Sequence, residues 1–146
     1  MSTRSTIGIK LEDGSVKAIY CHWDGYPKHQ RPLLKHYNTK EKVEELIALG
    51  SLSILGEEIG VKHPFDAVIK KDDDVTEKLD AYTALYGKMC KCYHRDRGED
   101  WEDVKPVTFS NTRKWKSDMR NSSCEYSYLF SVKTGKWTSA DLTQMD

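Results

Sequence analysis

The dipeptide Asp13-Gly14 stands between two runs of alternating apolar residues, and no other feature constrains the fold as tightly. Successive side chains of a strand point to opposite faces, so Ile7, Ile9 and Leu11 share one face. On the return run Val16, Ala18 and Tyr20 share a face, while Lys17, Ile19 and Cys21 share the other. Asp-Gly favours the backbone of a tight hairpin turn. The chain is therefore expected to open as a β-hairpin, with strands over Thr6 to Leu11 and Val16 to His22. A second hairpin is expected near the other end. Glu125 to Val132 reads as a strand, Lys133-Thr134-Gly135-Lys136 as a turn, and Trp137-Thr138 as the start of a return strand before a polar tail.

Helical signals lie between these hairpins. Pro32 opens a short helix holding Leu33, Leu34 and Tyr37. Asn38-Thr39-Lys40-Glu41 has a capping-box pattern with Asn38 as the N-cap. Val43, Leu46, Ile47 and Leu49 follow as an apolar stripe ending at Gly50. Ser51 to Pro64 reads as a loop. Asp74-Val75-Thr76-Glu77 resembles a second capping box, with Val75, Leu79, Tyr82 and Leu85 at helical spacing behind it. Met89 to His94 and Val107 to Phe109 read as further strands. The expected class is α+β: one domain over residues 1–146, an antiparallel sheet with hairpins at both termini, and two or three helices packed on one face.

Charge narrows the partners. The 146 residues hold 23 basic and 23 acidic side chains, for a net charge of zero. A duplex-binding protein shows a basic excess or a basic face, so nonspecific nucleic-acid binding is disfavoured. Only Arg113 to Arg120 is locally basic. No run approaches the roughly 20 apolar residues that span a bilayer, and Met1-Ser2-Thr3-Arg4-Ser5 leads into no signal-peptide core. These features point to the cytoplasm, where Cys21, Cys90, Cys92 and Cys124 stay reduced.

Two segments carry chemistry. In His22-Trp23-Asp24-Gly25-Tyr26, His22 is a proton donor or acceptor near neutral pH and Asp24 can orient it or bind a ribose hydroxyl. Trp23 and Tyr26 can stack on a ring. The plain alternative is a turn at Asp24-Gly25, with both aromatics in the core. In Tyr93-His94-Arg95-Asp96-Arg97-Gly98-Glu99-Asp100, the arginine forks match phosphate or carboxylate geometry. Here the alternative is a solvated loop of weak ion pairs. Cys90, Cys92 and His94 fall on one strand face, but three ligands on a straight strand close a tetrahedron poorly, so no metal is expected. Trp101 beside Glu99 and Asp100 is too little for a glycosidase. Arg113-Lys114-Trp115-Lys116 interleaves an aromatic with cations, a pattern compatible with stacking on single-stranded nucleic acid or a nucleotide, but a solvated strand or loop with Trp115 packed inward is the better reading. Gly87-Lys88 and Gly135-Lys136 lack the spacing of a phosphate-binding loop. No cofactor motif and no catalytic constellation stands out.

Ser2-Thr3-Arg4-Ser5-Thr6-Ile7, followed by Ile19-Tyr20-Cys21-His22-Trp23-Asp24-Gly25-Tyr26, resembles a family of small proteins common in tailed-phage genomes. Arg95-Asp96-Arg97-Gly98-Glu99 resembles a second motif of that family, although His94 stands where glycine is frequent. The resemblance brings a setting rather than a reaction. It implies a bacteriophage accessory protein in the cytoplasm of the infected bacterium, acting on host machinery or host defence. The leading expectation is a non-catalytic binder using His22, Trp23, Asp24, Tyr26, Arg95, Asp96, Arg97 and Glu99. Its ligand would be a nucleotide-like or anionic small molecule, or a host bacterial protein. One alternative is a small phosphoesterase or nuclease using His22 and Asp24. Another is a structural or interaction module, with homo-oligomers formed through an exposed edge strand. If the two motifs serve one site, they must meet in space.

Overall fold

A computed structural model describes residues 3–63 and 86–144. The helix expected from Asp74 lies outside the described residues. Ser5–Lys10 (β1) and Val16–Cys21 (β2) form the expected hairpin, antiparallel with Ser5 opposite Cys21 and Lys10 opposite Val16. Gly14 takes φ +88° at its turn, a region that glycine enters without steric cost. Pro27–Leu34 (α1) and Lys40–Ile47 (α2) follow. Leu52–Ile54 (β3), Lys91–Cys92 (β4), Trp101–Val104 (α3) and Val107–Phe109 (β5) come next. Thr112–Asn121 (α4), Tyr126–Ser131 (β6), Lys136–Asp141 (β7) and a short 3-10 turn at Leu142–Gln144 complete the order.

The strands make one sheet in the order β4-β3-β2-β1-β6-β7, with β5 paired to β2 beside β3. The α+β class holds. The sheet is mixed rather than antiparallel: β1 runs parallel to β6, and β2 runs parallel to β3. The two terminal hairpins meet at β1 and β6, so β1 becomes central and is buried on both faces.

One face carries Ile7, Ile9, Ile19, Cys21, Leu52, Cys92, Tyr128 and Phe130 against Leu34, Tyr37, Val43, Leu46 and Ile47 of the α1–α2 region. The opposite face carries Val16, Ala18, Phe109 and Leu129 around Trp115 of α4. The helices therefore cover both faces, not one. Small residues on β1 make the second face possible. A Cβ on Gly8 would lie 2.9 Å from Val16 and 3.2 Å from the Trp115 ring. Trp115 Nε1 donates to Thr6 Oγ1 at 2.9 Å.

Several local expectations shift. Thr39, not Asn38, caps α2, its hydroxyl accepting from Lys42 N at 3.2 Å. α1 opens at Pro27 rather than Pro32, because proline at the first helical position gives up an N–H that has no partner there. Pro32 lies inside the helix. Arg113 to Lys116 belong to α4 and not to a strand or loop, although Trp115 does turn inward. β7 continues well into the expected polar tail.

Candidate functional site

Beyond Cys21 the chain continues along β3. His22 N donates to Leu52 O at 3.0 Å and Trp23 N to Ser53 O at 2.9 Å. Asp24 then takes φ +55°, a left-handed conformation that short polar side chains tolerate. Gly25 is pressed against the start of β1, where an added Cβ would lie 2.7 Å from Thr3 O and from Ser5 Cβ. Gly25 N donates to Thr3 O at 2.8 Å, and the Tyr128 hydroxyl donates to Gly25 O at 2.6 Å. Asp24-Gly25 is thus a structural turn. The two aromatics beside it are not in the core: Trp23 is 44% exposed and Tyr26 is 40% exposed.

His22 faces the Tyr20 hydroxyl, 2.6 Å from its Nδ1, and meets the Trp23 ring edge-on at 4.8 Å. The His22–Asp24 pairing that a phosphoesterase would use is not what holds the imidazole. Tyr26 turns toward α1, its ring 5.7 Å from that of His29.

The second motif divides into an inner and an outer half. The Asp96 side chain is fully buried. Its Oδ1 accepts from His63 N at 3.1 Å and Arg95 Nε at 3.0 Å; its Oδ2 accepts from Cys92 N at 2.8 Å and Arg95 Nη2 at 3.2 Å. Burial alone would push this carboxyl up. The Arg95 guanidinium and the two backbone N–H groups outweigh burial and hold it below its ordinary value. Arg95 also donates through Nη1 to Ile59 O and through Nη2 to Cys90 O, both at 2.8 Å. The pair is a strut tying three backbone segments together, and these donors are already committed. Arg95 and Asp96 are therefore neither a ligand fork nor a solvated ion pair, because the chain wraps its own carbonyls and amides around them. Arg97 is exposed, its guanidinium carbon 6.0 Å from the centre of the Tyr93 ring. Glu99 is half-buried nearby.

The motifs come to the same end of the sheet, with only β3 between them. Cys21 pairs with Leu52 and Leu52 with Cys92, while Tyr93 N donates to Ser51 O at 3.2 Å. Two strand spacings put β2 and β4 roughly 10 Å apart. Period two then directs Tyr20 of β2 and His22 just beyond it, Ser53 from β3 and Tyr93 after β4 to one face. The Tyr93 hydroxyl bonds the Ser53 side chain, and burial raises its pKa. Burial pushes Tyr20 up to about 12, with Tyr93 adding to the effect and Arg4 opposing it. Both phenols are therefore neutral donors at neutral pH. Trp23 joins them through its edge-on contact with His22 and Arg97 through its approach to the Tyr93 ring, so the surface is Tyr20, His22, Trp23, Ser53, Tyr93 and Arg97. Tyr20 and Tyr93 carry a sequence signal, since each lies in or beside a motif. Ser53 carries none, because its place depends on β3.

The thiols take no part in this surface. Cys21, Cys90, Cys92 and Cys124 are all buried, and burial pushes Cys21 up to about 12 and Cys124 up to about 11. Burial raises Cys90 and Cys92 as well. His94 is exposed and bonds Glu99 O at 2.8 Å, whereas Cys90 and Cys92 belong to the core. Among the described residues no three potential metal ligands cluster. At pH 8 a disulfide-exchange reagent should therefore label native protein slowly and all four thiols rapidly once denaturant is added. Fast labelling of any one thiol in the native protein would refute its burial.

Among the described residues no helix is long and apolar enough to cross a membrane. No protein-family model matches the chain, no curated protein matches it, and no solved structure matches it.

Proposed function

We propose that this chain is a non-catalytic binding protein, a bacteriophage accessory protein that docks a host bacterial protein through Tyr20, His22, Trp23, Tyr93 and Arg97. The observation that carries this reading is Trp23, a large aromatic 44% exposed beside a fixed imidazole, on the same sheet end as Tyr93 and Arg97. Tryptophan, tyrosine and arginine are the residues that dominate binding energy at protein interfaces. Trp23 and Arg97 are both exposed rather than enclosed, as suits a protein partner better than a small ligand. The recognisable catalytic pairing, His22 with Asp24, is replaced by His22 with Tyr20.

The test is quantitative capture from extract of the host bacterium, with identification of the retained protein and titration of that protein in purified form. Trp23→Ala is expected to weaken the purified complex by roughly 30-fold, the scale of a central anchor, without moving the thermal melt. Arg97→Ala should weaken it less and reduce its salt dependence. Equal affinity for wild type and Trp23→Ala would remove this face from consideration. A chemically altered small molecule, formed by wild type and not by His22→Gln, would instead favour the hydrolase.

A further inference from the structure

We infer a second site, for a phosphate-rich nucleotide, in the trough between α1 and the outer strand β7. It is independent of the docking face. Lys28, Arg31 and Lys35 fall at i, i+3 and i+7, so they line one side of α1 and its C-terminal extension. The run 27–37 contains no acidic residue. Among the described residues none of the three cations forms an ion pair. In a chain with zero net charge, three unpaired cations on one short helix are a local excess.

They border a built groove. A cavity of about 170 Å³ lies between Arg31, Leu34 and Lys35 on one side and Thr138 and Ser139 on the other, with Tyr128 and Trp137 also lining it. A second hollow of about 290 Å³ runs along the same helix past Lys28, Pro27 and Pro32 and shares Arg31 and Lys35. Both aromatics are pinned. Trp137 Nε1 donates to Tyr37 O at 2.8 Å and its ring packs edge-on against Phe130 at 5.5 Å. The Tyr128 hydroxyl is committed to Gly25 O.

What remains available is specific in kind. Lysine and arginine are donors only, Ser139 offers a hydroxyl on the α1 side of β7, and Trp137 offers a ring already fixed in place. A ligand matching this set has several anionic oxygens and a flat ring. The ring lies along Trp137 in the smaller cavity, and the phosphate groups run past Arg31 and Lys35 into the second hollow beside Lys28.

The test uses full-length protein at low ionic strength, with ATP, tripolyphosphate and adenosine as probes in separate calorimetric titrations. ATP is expected to bind one per chain, more tightly than tripolyphosphate, with adenosine weakest. Affinity should fall as salt rises, because the cations are exposed. Arg31→Ala and Lys35→Ala should each lose roughly tenfold or more, the scale of a charge-assisted contact. Both residues are exposed, so unchanged thermal melts will certify the variants. Lys133→Ala, in the β6–β7 turn, should bind as wild type. Absence of saturable ATP binding at millimolar concentration would overturn the site, and so would full ATP affinity in the Arg31→Ala/Lys35→Ala double variant. Tripolyphosphate binding as tightly as ATP would overturn the assignment to a nucleotide.

Discussion

Asp96→Ala is expected to destabilise the protein by about 3–5 kcal/mol, the cost of removing one partner of a buried ion pair. The change strands the Arg95 guanidinium and leaves the N–H groups of Cys92 and His63 without their acceptor. Those groups join β4, the loop after it and the segment ending at His63. The His63 ring stacks on Tyr86 at 5.0 Å, so the two chain ends that flank residues 64–85 rest on the same strut. A thermal melt should fall by roughly 10 °C or more, and a shift within about 2 °C of wild type would show that the strut carries little. The sign of the pH dependence follows from the lowered pKa of Asp96. Its contribution is complete above the ordinary carboxylate value of 3.8 and is lost as pH falls through the lower value in the folded protein. Acid titration of wild type should therefore show a loss of stability below that value that Asp96→Asn lacks. Such a variant starts less stable, because an amide cannot accept on both sides.

Trp115→Ala is the second large effect, again about 3–5 kcal/mol for emptying a fully buried aromatic site. Trp115 is the largest fully buried side chain and the centre of the smaller core. It seats over Gly8 and against Val16 and Ala18, and its indole N–H is satisfied by Thr6. Thr6→Val leaves that N–H buried without an acceptor and is expected to cost about 1–3 kcal/mol. In a double-mutant cycle with Trp115→Phe the two changes should be less than additive, since either one ends the same hydrogen bond. Strict additivity in urea unfolding would mean that the bond contributes nothing.

The interior reading of Trp115 and the surface positions of Trp23 and Tyr26 show different limits of sequence reasoning. Arg113-Lys114-Trp115-Lys116 has one apolar residue among cations, so no stripe marks a helix. The usable signal was Asn111, whose side chain caps α4 by accepting from Lys114 N at 2.8 Å. For Trp23 and Tyr26, hydrophobicity argues for the core. The turn overrules it, because Gly25 is held against Thr3 and Tyr128 and leaves its neighbours outside.

By itself the sequence determined what depends on neighbours a few residues away. Asp13-Gly14 and the alternation around it set the first hairpin, the β6–β7 turn set the last, and the stripe from Val43 to Ile47 set α2. These elements were legible because turn geometry and side-chain periodicity act within a short stretch of chain. The tertiary structure alone decided what depends on residues far apart. β3 is three residues long, and pairing with Cys21 on one side and Cys92 on the other makes it a strand. That pairing also brings the two motifs to one sheet end. The role of Arg95 was decided the same way. An Arg-Asp-Arg run reads equally as a ligand fork or a solvated loop until Ile59 O, Cys90 O, Cys92 N and His63 N arrive around it, and those groups come from segments that only the folded sheet brings together.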